Sequence, residues 1–229
     1  MKPIADLHTH PEAARRAPVA QDEPAPRLAA IFAREGRARR IAAGETLHAE
    51  GDAARLVHLV RRGWARSCPC SEDGRRSISR FAGPGAFLGF AAGERWPFAV
   101  EAMEDVALRS LPREGFEAAL ARDPALAREA LALAGAELEE RDRRLARMAR
   151  LPAEARVLRF LREFAARSPA PAWTRLPMTR ADIGDHLGLS VETASRAFGA
   201  LRRRGLVELR GAETFRLPAT PGEGLRLAA

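Results

Sequence analysis

The chain has 229 residues, of which 46% are hydrophobic and 30% charged, a length and balance that suit two domains with a core each and exclude wholesale disorder. No apolar run approaches the ~20 residues a bilayer span needs, and mean hydropathy is -0.26; membrane spans are excluded. The formal charge is +8, and because Lys2 is the only lysine almost all of the cations are guanidinium groups, the side chains best shaped for phosphates and guanine edges. Residues 151–229 hold 13 arginines against 8 carboxylates, so an anionic partner is expected at the C-terminal third. Two cysteines and no charged-then-apolar leader point to the cytoplasm rather than to a secreted disulfide scaffold.

Residues 1–26 carry Pro3, Pro11, Pro18, Pro24 and Pro26 without a sustained period, which predicts a flexible arm. From Ile41 to about Leu111 short apolar stretches are punctuated by glycine. Segments such as Leu56-Val57-His58-Leu59-Val60 and Ser77-Ile78-Ser79-Arg80-Phe81 are strand-length, so this part reads as a small all-β barrel or sandwich. Asp73-Gly74 is a hairpin signal, since both central positions of a type I′ turn need positive φ.

Beyond Pro112 the period becomes helical. Pro124 suits a first-turn position, and Leu131, Leu138 and Leu145 repeat every seven residues with Ala134, Arg141 and Met148 offset by three. The pattern predicts a helix of about 25 residues ending near Leu151-Pro152. Glu137, Glu139, Glu140, Arg143 and Arg144 leave most of its circumference polar, which favours a two-chain seam. Packing of this helix on its own β domain is the plainer alternative. Pro152 opens another helix, with Val157, Leu158, Leu161, Phe164 and Ala165 on one face, and Ser168-Pro169-Ala170-Pro171 ends it.

Thr179-Arg180-Ala181-Asp182 has the form of a capping box with Asp in place of Glu, followed by Ile183 and Leu187 one turn apart. Gly188 supplies a positive-φ turn residue, Leu189 points back to the core, and Ser190 can cap a helix from Val191 to about Arg204. Helix, Gly-containing turn, helix is the spacing of a helix-turn-helix. In the second helix Ala194, Ala197, Phe198 and Leu201 form the inner face, while Val191, Glu192, Ser195 and Arg196 occupy the turns that meet base edges. Arg196 can pair with guanine O6 and N7, Glu192 can accept from cytosine N4, and Ser195 can serve a base edge or a phosphate. Thr179, Arg180, Ser190, Thr193, Arg202 and Arg203 are the candidates for phosphate contacts, which add affinity without specificity. A solvated helical face is the plainer reading of these side chains. Residues 206–209 and 214–217 flank Arg210-Gly211-Ala212-Glu213 as a β-hairpin wing.

Residues 178–209 resemble the C-terminal signature of the CRP/FNR transcription regulators, and Glu192, Ser195 and Arg196 are similar to the base-reading set of the FNR/FixK branch. Val191 stands where the CRP branch places another arginine. Asp73-Gly74-Arg75-Arg76, Pro84-Gly85-Ala86-Phe87-Leu88-Gly89-Phe90 and Phe98-Ala99-Val100-Glu101-Ala102 extend the likeness, which covers about residues 28–217. The resemblance implies an α+β chain: a flexible arm (1–26), a β-roll resembling the cyclic-nucleotide-binding jelly roll (27–122), a long dimerisation helix (123–150) and a winged helix-turn-helix (151–229). It further implies a non-enzymatic, cytoplasmic homodimer with Leu131, Ala134, Leu138, Arg141, Leu145 and Met148 at its seam. The dimer would bind double-stranded DNA at a palindrome similar to TTGAT-N4-ATCAA and contact RNA polymerase, within an oxygen-, redox- or nitrogen-oxide-responsive circuit.

Departures from the family bear on cofactors. A four-thiolate iron-sulfur cluster needs four cysteines in one chain, and only Cys68 and Cys70 exist; they are candidates for a redox role or are incidental. Cyclic-nucleotide members hold the phosphate with Gly-Glu followed by Arg-Ser/Thr-Ala, whereas Phe90 follows Gly89 here and Trp96-Pro97 falls in the arginine region. His48 and His58 are the histidines available to a haem. The expectation is a protein with no cofactor and no bound metal. The competing class is a metal-dependent hydrolase, suggested by Ala5-Asp6-Leu7-His8-Thr9-His10; only His48, His58 and His186 are left to complete such a site.

Overall fold

The computed structural model describes residues 25–69, 77–90, 93–166 and 173–218. After a first helix, α1 (Pro26–Glu35), the described residues form eight strands: β1 (Arg37–Ile41), β2 (Thr46–His48), β3 (Leu56–Arg62), β4 (Ala65–Cys68), β5 (Arg80–Ala82), β6 (Phe87–Leu88), β7 (Ala99–Ala102) and β8 (Val106–Pro112). They form two four-stranded sheets in the orders β1-β8-β3-β6 and β2-β7-β4-β5, with every strand pairing antiparallel. Between them lies a core of Ile41, Leu47, Val60, Ala65, Leu88, Trp96, Val100, Ala102, Val106 and Leu108. The run Val57 to Val60 is buried without alternation, His58 included, because the first sheet is covered on both faces. Its outer face packs under α1, α2 (Arg113–Arg122) and the start of α3 (Pro124–Arg150), through Phe32, Leu59, Phe87, Phe116 and Leu126.

The strand expected at Ser77-Ile78-Ser79-Arg80-Phe81 begins only at Arg80. Ile78 turns into the core shared with the C-terminal half, and the carbonyls of Ile78 and Ser79 accept from Arg144 of α3. The Asp73-Gly74 hairpin lies outside the described residues, as do Ser168-Pro169-Ala170-Pro171 and the histidine pair His8 and His10. The expected flexible arm falls outside them except at its last two residues, where Pro26 already occupies the first turn of α1.

Asp123 caps α3 by accepting from the Ala125 and Leu126 amides, with Pro124 in the first turn. Along the inner side of α3, Leu126 and Ala130 are buried, Glu137 pairs with Arg80 at 2.7 Å, and Arg144 meets the β5 approach. On its outer side Leu131, Leu138 and Leu145 are 73%, 60% and 51% exposed, although leucine is ordinarily an inside residue. The helix stops at Leu151, whose extended backbone precedes Pro152, as expected for a residue that a proline pushes out of the helical region.

The C-terminal half comprises α4 (Ala153–Ala165), β9 (Thr174–Arg175), α5 (Arg180–Leu187), α6 (Val191–Arg203), β10 (Glu208–Arg210) and β11 (Thr214–Arg216). The wing is a three-stranded sheet, β10-β11-β9, so β9 adds a strand to the expected hairpin. Val157, Leu158, Leu161, Phe164, Ile183, Leu187, Ala197, Phe198, Leu201 and Phe215 form its core, and Cys68, Ile78 and Phe81 of the β-roll join the same cluster. The two halves therefore share a packed interface, with Trp64 and Phe164 ring centroids at 4.9 Å and Phe81 and Phe160 at 6.0 Å.

Candidate nucleic-acid interface

The capping box at the start of α5 forms in full. Thr179 Oγ1 accepts from the Asp182 amide at 3.1 Å, and Asp182 Oδ2 accepts from the Thr179 amide at 2.9 Å. These bonds satisfy donors that a helix N-terminus otherwise leaves open. Gly188 ends the helix at φ 65, a left-handed conformation that a side chain would strain. The Ser190 hydroxyl then accepts from the Thr193 amide at 3.2 Å, starting α6. Gly184 lets the two helices meet, since a Cβ there would stand 2.8 Å from the Leu189 carbonyl.

With Ala194, Ala197, Phe198 and Leu201 buried, the opposite face of α6 must face solvent. Val191 is 43% exposed, and Glu192, Ser195 and Arg196 are exposed beside it. Arg196 donates to Thr193 Oγ1 at 3.3 Å. The Glu192 carboxyl is held below its ordinary range, first by its own amide and then by the Ser190 hydroxyl and the Arg196 charge. Glu192 is therefore an acceptor at neutral pH, and Arg196 is a two-pronged donor beside it. The four side chains expected to read bases share one surface.

Of the phosphate candidates, Thr179, Ser190, Arg202 and Arg203 are exposed and Thr193 is half-buried. Neither Arg202 nor Arg203 forms an ion pair among the described residues, whereas Arg204 is held by Glu154 at 2.8 Å. Arg180 is different. Its guanidinium lies 3.3 Å from the Phe198 ring centroid, a cation–π contact beneath the recognition helix, and burial pulls its pKa down to about 10. It stays a cation at neutral pH, but much of it supports α6. In the wing, Arg210 stacks on Trp173 at 4.0 Å, an arrangement without a signal in the sequence pattern.

The expected seam residues divide in the same way. Leu131, Leu138, Leu145 and Arg141 face solvent and Ala134 is half-buried. Met148 turns instead toward the α5–α6 turn, where its Cε stands 2.5 Å from the position of a Cβ on Gly188. Cys68 is buried in the core shared by the two halves, and Cys70 lies outside the described residues.

Inside the β-roll, His48 and His58 face each other with their Nε2 atoms 2.7 Å apart, and His58 Nδ1 lies 2.7 Å from Ser110 Oγ. One of the facing nitrogens must accept the other's hydrogen, so at least one ring is neutral, and burial favours the neutral form of both. Burial lowers the His58 pKa to about 3 and that of His48 to about 4, with the Arg39 charge acting in the same direction on both. Trp96, 1% exposed, stacks on His48 with ring centroids 4.2 Å apart. Gly89 makes room for it, since a Cβ there would stand 2.6 Å from the indole. Among the described residues no cluster of three or more His, Cys, Asp or Glu could hold a metal ion, and no helix is long and apolar enough to cross a membrane.

Comparison with known proteins agrees with this architecture. Residues 38–123 match the family model of the cyclic nucleotide-binding domain, and residues 155–221 match that of the Crp-like helix-turn-helix domain. The nitrogen fixation regulation protein FixK of Azorhizobium caulinodans is 35% identical over 196 residues, covering 83% of this chain and 79% of the relative. The fumarate and nitrate reduction regulatory protein of Escherichia coli K12 is 30% identical over 181 residues, covering 76% and 72%. The solved structure of FixK2 from Bradyrhizobium japonicum aligns with a TM-score of 0.76 at 33% identity, covering 80% of this chain and 92% of that one. With a β-roll, a long connecting helix and a winged helix-turn-helix in one order, the chain belongs to the CRP/FNR family of DNA-binding transcription regulators, in its FNR/FixK-type branch.

Proposed function

We propose that two copies of this chain pair along α3 and present two α6 helices to successive major grooves of a palindrome similar to TTGAT-N4-ATCAA. Successive grooves on one face of the duplex are about 34 Å apart. The observation that carries the reading is the exposure of Glu192, Ser195 and Arg196 on a helix whose other face is fully packed. The row of Leu131, Leu138 and Leu145 supports the pairing, because a second copy would remove it from water. In this division of labour residues 27–122 form the sensor-like β-roll, 123–150 the pairing helix and 151–229 the DNA-reading domain, and the dimer works in the cytoplasm by contact with RNA polymerase. The regulators it resembles are named for nitrogen fixation and for fumarate and nitrate reduction, which favours an oxygen-, redox- or nitrogen-oxide-responsive circuit.

The β-roll acts without a cofactor in this reading. A cyclic nucleotide would need the roll interior, and that interior is filled by Trp96 over the His48–His58 pair; the residues present do not fit it. A haem would need one of these rings freed from its partner, and Cys68 with Cys70 cannot supply four thiolates. Anaerobically purified protein should show no Soret or iron-sulfur absorption; a stoichiometric band of either kind would contradict the effector-free reading.

The test of the whole proposal is fluorescence anisotropy with the palindromic duplex and a duplex with both half-sites scrambled. Specific binding tighter by about 1,000-fold or more is expected. Equal affinity for both duplexes would overturn the assignment.

A further inference from the structure

We infer that Arg66, a β-roll residue remote in sequence from the base-reading side chains, is a positioning residue for DNA recognition: it sets where α6 stands relative to the pairing helix, and hence which half-site spacing a dimer accepts. The inference rests on the dimeric reading above. Covalently, the DNA-reading half joins α3 only through Leu151 and Pro152, both in extended conformation. A two-residue extended joint does not by itself hold an angle. The aromatic contacts of Trp64 with Phe164 and Phe81 with Phe160 supply adhesion, but apolar packing is non-directional.

Direction comes from the guanidinium of Arg66. Its Nη2 and Nε donate to Glu101 Oε2 on β7 at 2.7 and 2.9 Å, and its Nη1 donates to Asp182 Oδ1 on α5 at 2.9 Å. Asp182 is 2% exposed, and its other oxygen accepts from the Thr179 amide and hydroxyl at 2.9 and 2.8 Å. One buried carboxylate thus closes the first turn of α5 and receives the bond from the β-roll. Because α5 carries α6 through Gly184 and through Arg180 stacked on Phe198, the orientation of Asp182 is passed to the recognition helix. Charge-assisted bonds on a planar fork are short and angularly strict. A buried ion pair contributes little net stability and is better suited to fixing one arrangement among several.

The two halves also meet at Arg144 on α3, which reaches the Ile78 and Ser79 carbonyls and His186 Nδ1, the last at 2.8 Å. Near the joint Arg147 on α3 also pairs with Glu163 on α4 at 3.0 Å, and His186 Nδ1 lies 3.0 Å from the Ile78 carbonyl. Glu104 and the largely exposed Arg175 pair at 2.9 Å, a surface contact that holds little, so Arg66 is the β-roll cation that reaches the buried carboxylate of α5.

The test uses full-length Arg66→Met and Arg66→Lys, titrated by anisotropy against palindromes whose half-sites are separated by about two to eight base pairs. Wild-type protein should favour one spacer sharply. In Arg66→Met affinity for that spacer should fall about tenfold, while neighbouring spacers keep theirs, so the profile flattens; Arg66→Lys should restore part of the peak. A purely structural role would lower every affinity in proportion and leave the profile unchanged, and that result would overturn the inference. Sedimentation and thermal melting verify that the variant is a folded dimer. Should Arg66→Met melt below the assay temperature, Glu101→Gln loosens the far side of the fork while Asp182 stays paired, and an unchanged spacing profile there is equally contrary. A wild-type protein indifferent to spacing would instead remove the dimeric reading itself.

Discussion

The interior of the β-roll and the outer face of α6 each gather polar side chains, and they treat them in opposite ways. In the roll, His48, His58 and Ser110 bond to one another and Trp96 closes over them. On α6, Glu192, Ser195 and Arg196 stand in solvent on a helix whose inner face is packed. Buried polar groups that satisfy each other rigidify a core, whereas exposed donors and acceptors held in fixed geometry await a partner. The exposed donors and acceptors of this chain thus stand on the second half, and the first half packs against the elements that carry them. Helix α3 belongs to both, with its inner side anchored to the roll and its leucine row exposed.

Placing a charge in that row is the most severe way to break the contrast. Leu138→Glu is expected to give monomers in sedimentation and to weaken palindrome binding by about 1,000-fold, since the second half-site no longer binds intramolecularly; a variant that stays dimeric would move the seam elsewhere. Arg196→Ala should cost about 1–3 kcal/mol per half-site and relax discrimination at one G·C pair, measured by competition with single-base variants. Equal loss on specific and random duplex would place Arg196 among the phosphate contacts instead.

The sealed interior answers to pH. Because burial lowers the pKa of His58 to about 3 and that of His48 to about 4 from the ordinary 6.5, their contribution is complete above pH 6.5 and is lost as pH falls from there toward 4 for His48 and toward 3 for His58. For His58 the loss is about 1.4 kcal/mol per pH unit, or about 2 kcal/mol at pH 5. Thermal melts should show this fall, and His58→Leu should flatten it. Smallest of all, Arg203→Ala should weaken specific and random duplex alike and reduce the slope of log affinity against log salt by about one; altered base preference would contradict its role as a phosphate contact.

Much of this was legible in the chain because local rules and tertiary packing agree. The capping box at Thr179 and Asp182, the left-handed Gly188 and the four inner residues of α6 are spaced by helix geometry alone, and each stands as the pattern requires. The heptad leucines were visible too. What escaped depends on contacts between distant residues. Ile78 leaves the strand period by turning into the core shared with the C-terminal half, and its carbonyl accepts from Arg144. Met148 keeps the heptad offset but turns to Gly188, since α3 has reached the α5–α6 turn by that point. Arg180 reads as a surface cation, yet stacks under Phe198. Arg66 and Asp182, 116 residues apart, carry no mutual signal, and the only trace of the filled roll was a tryptophan where an arginine region was expected.

The most direct measurement of the central claim is the mass of the protein–DNA complex by analytical ultracentrifugation, on the full palindrome and on a duplex with one intact half-site. Two chains on the palindrome, with much weaker binding to the single half-site, is the predicted result. One chain per palindrome, or equal affinity for both duplexes, would contradict it.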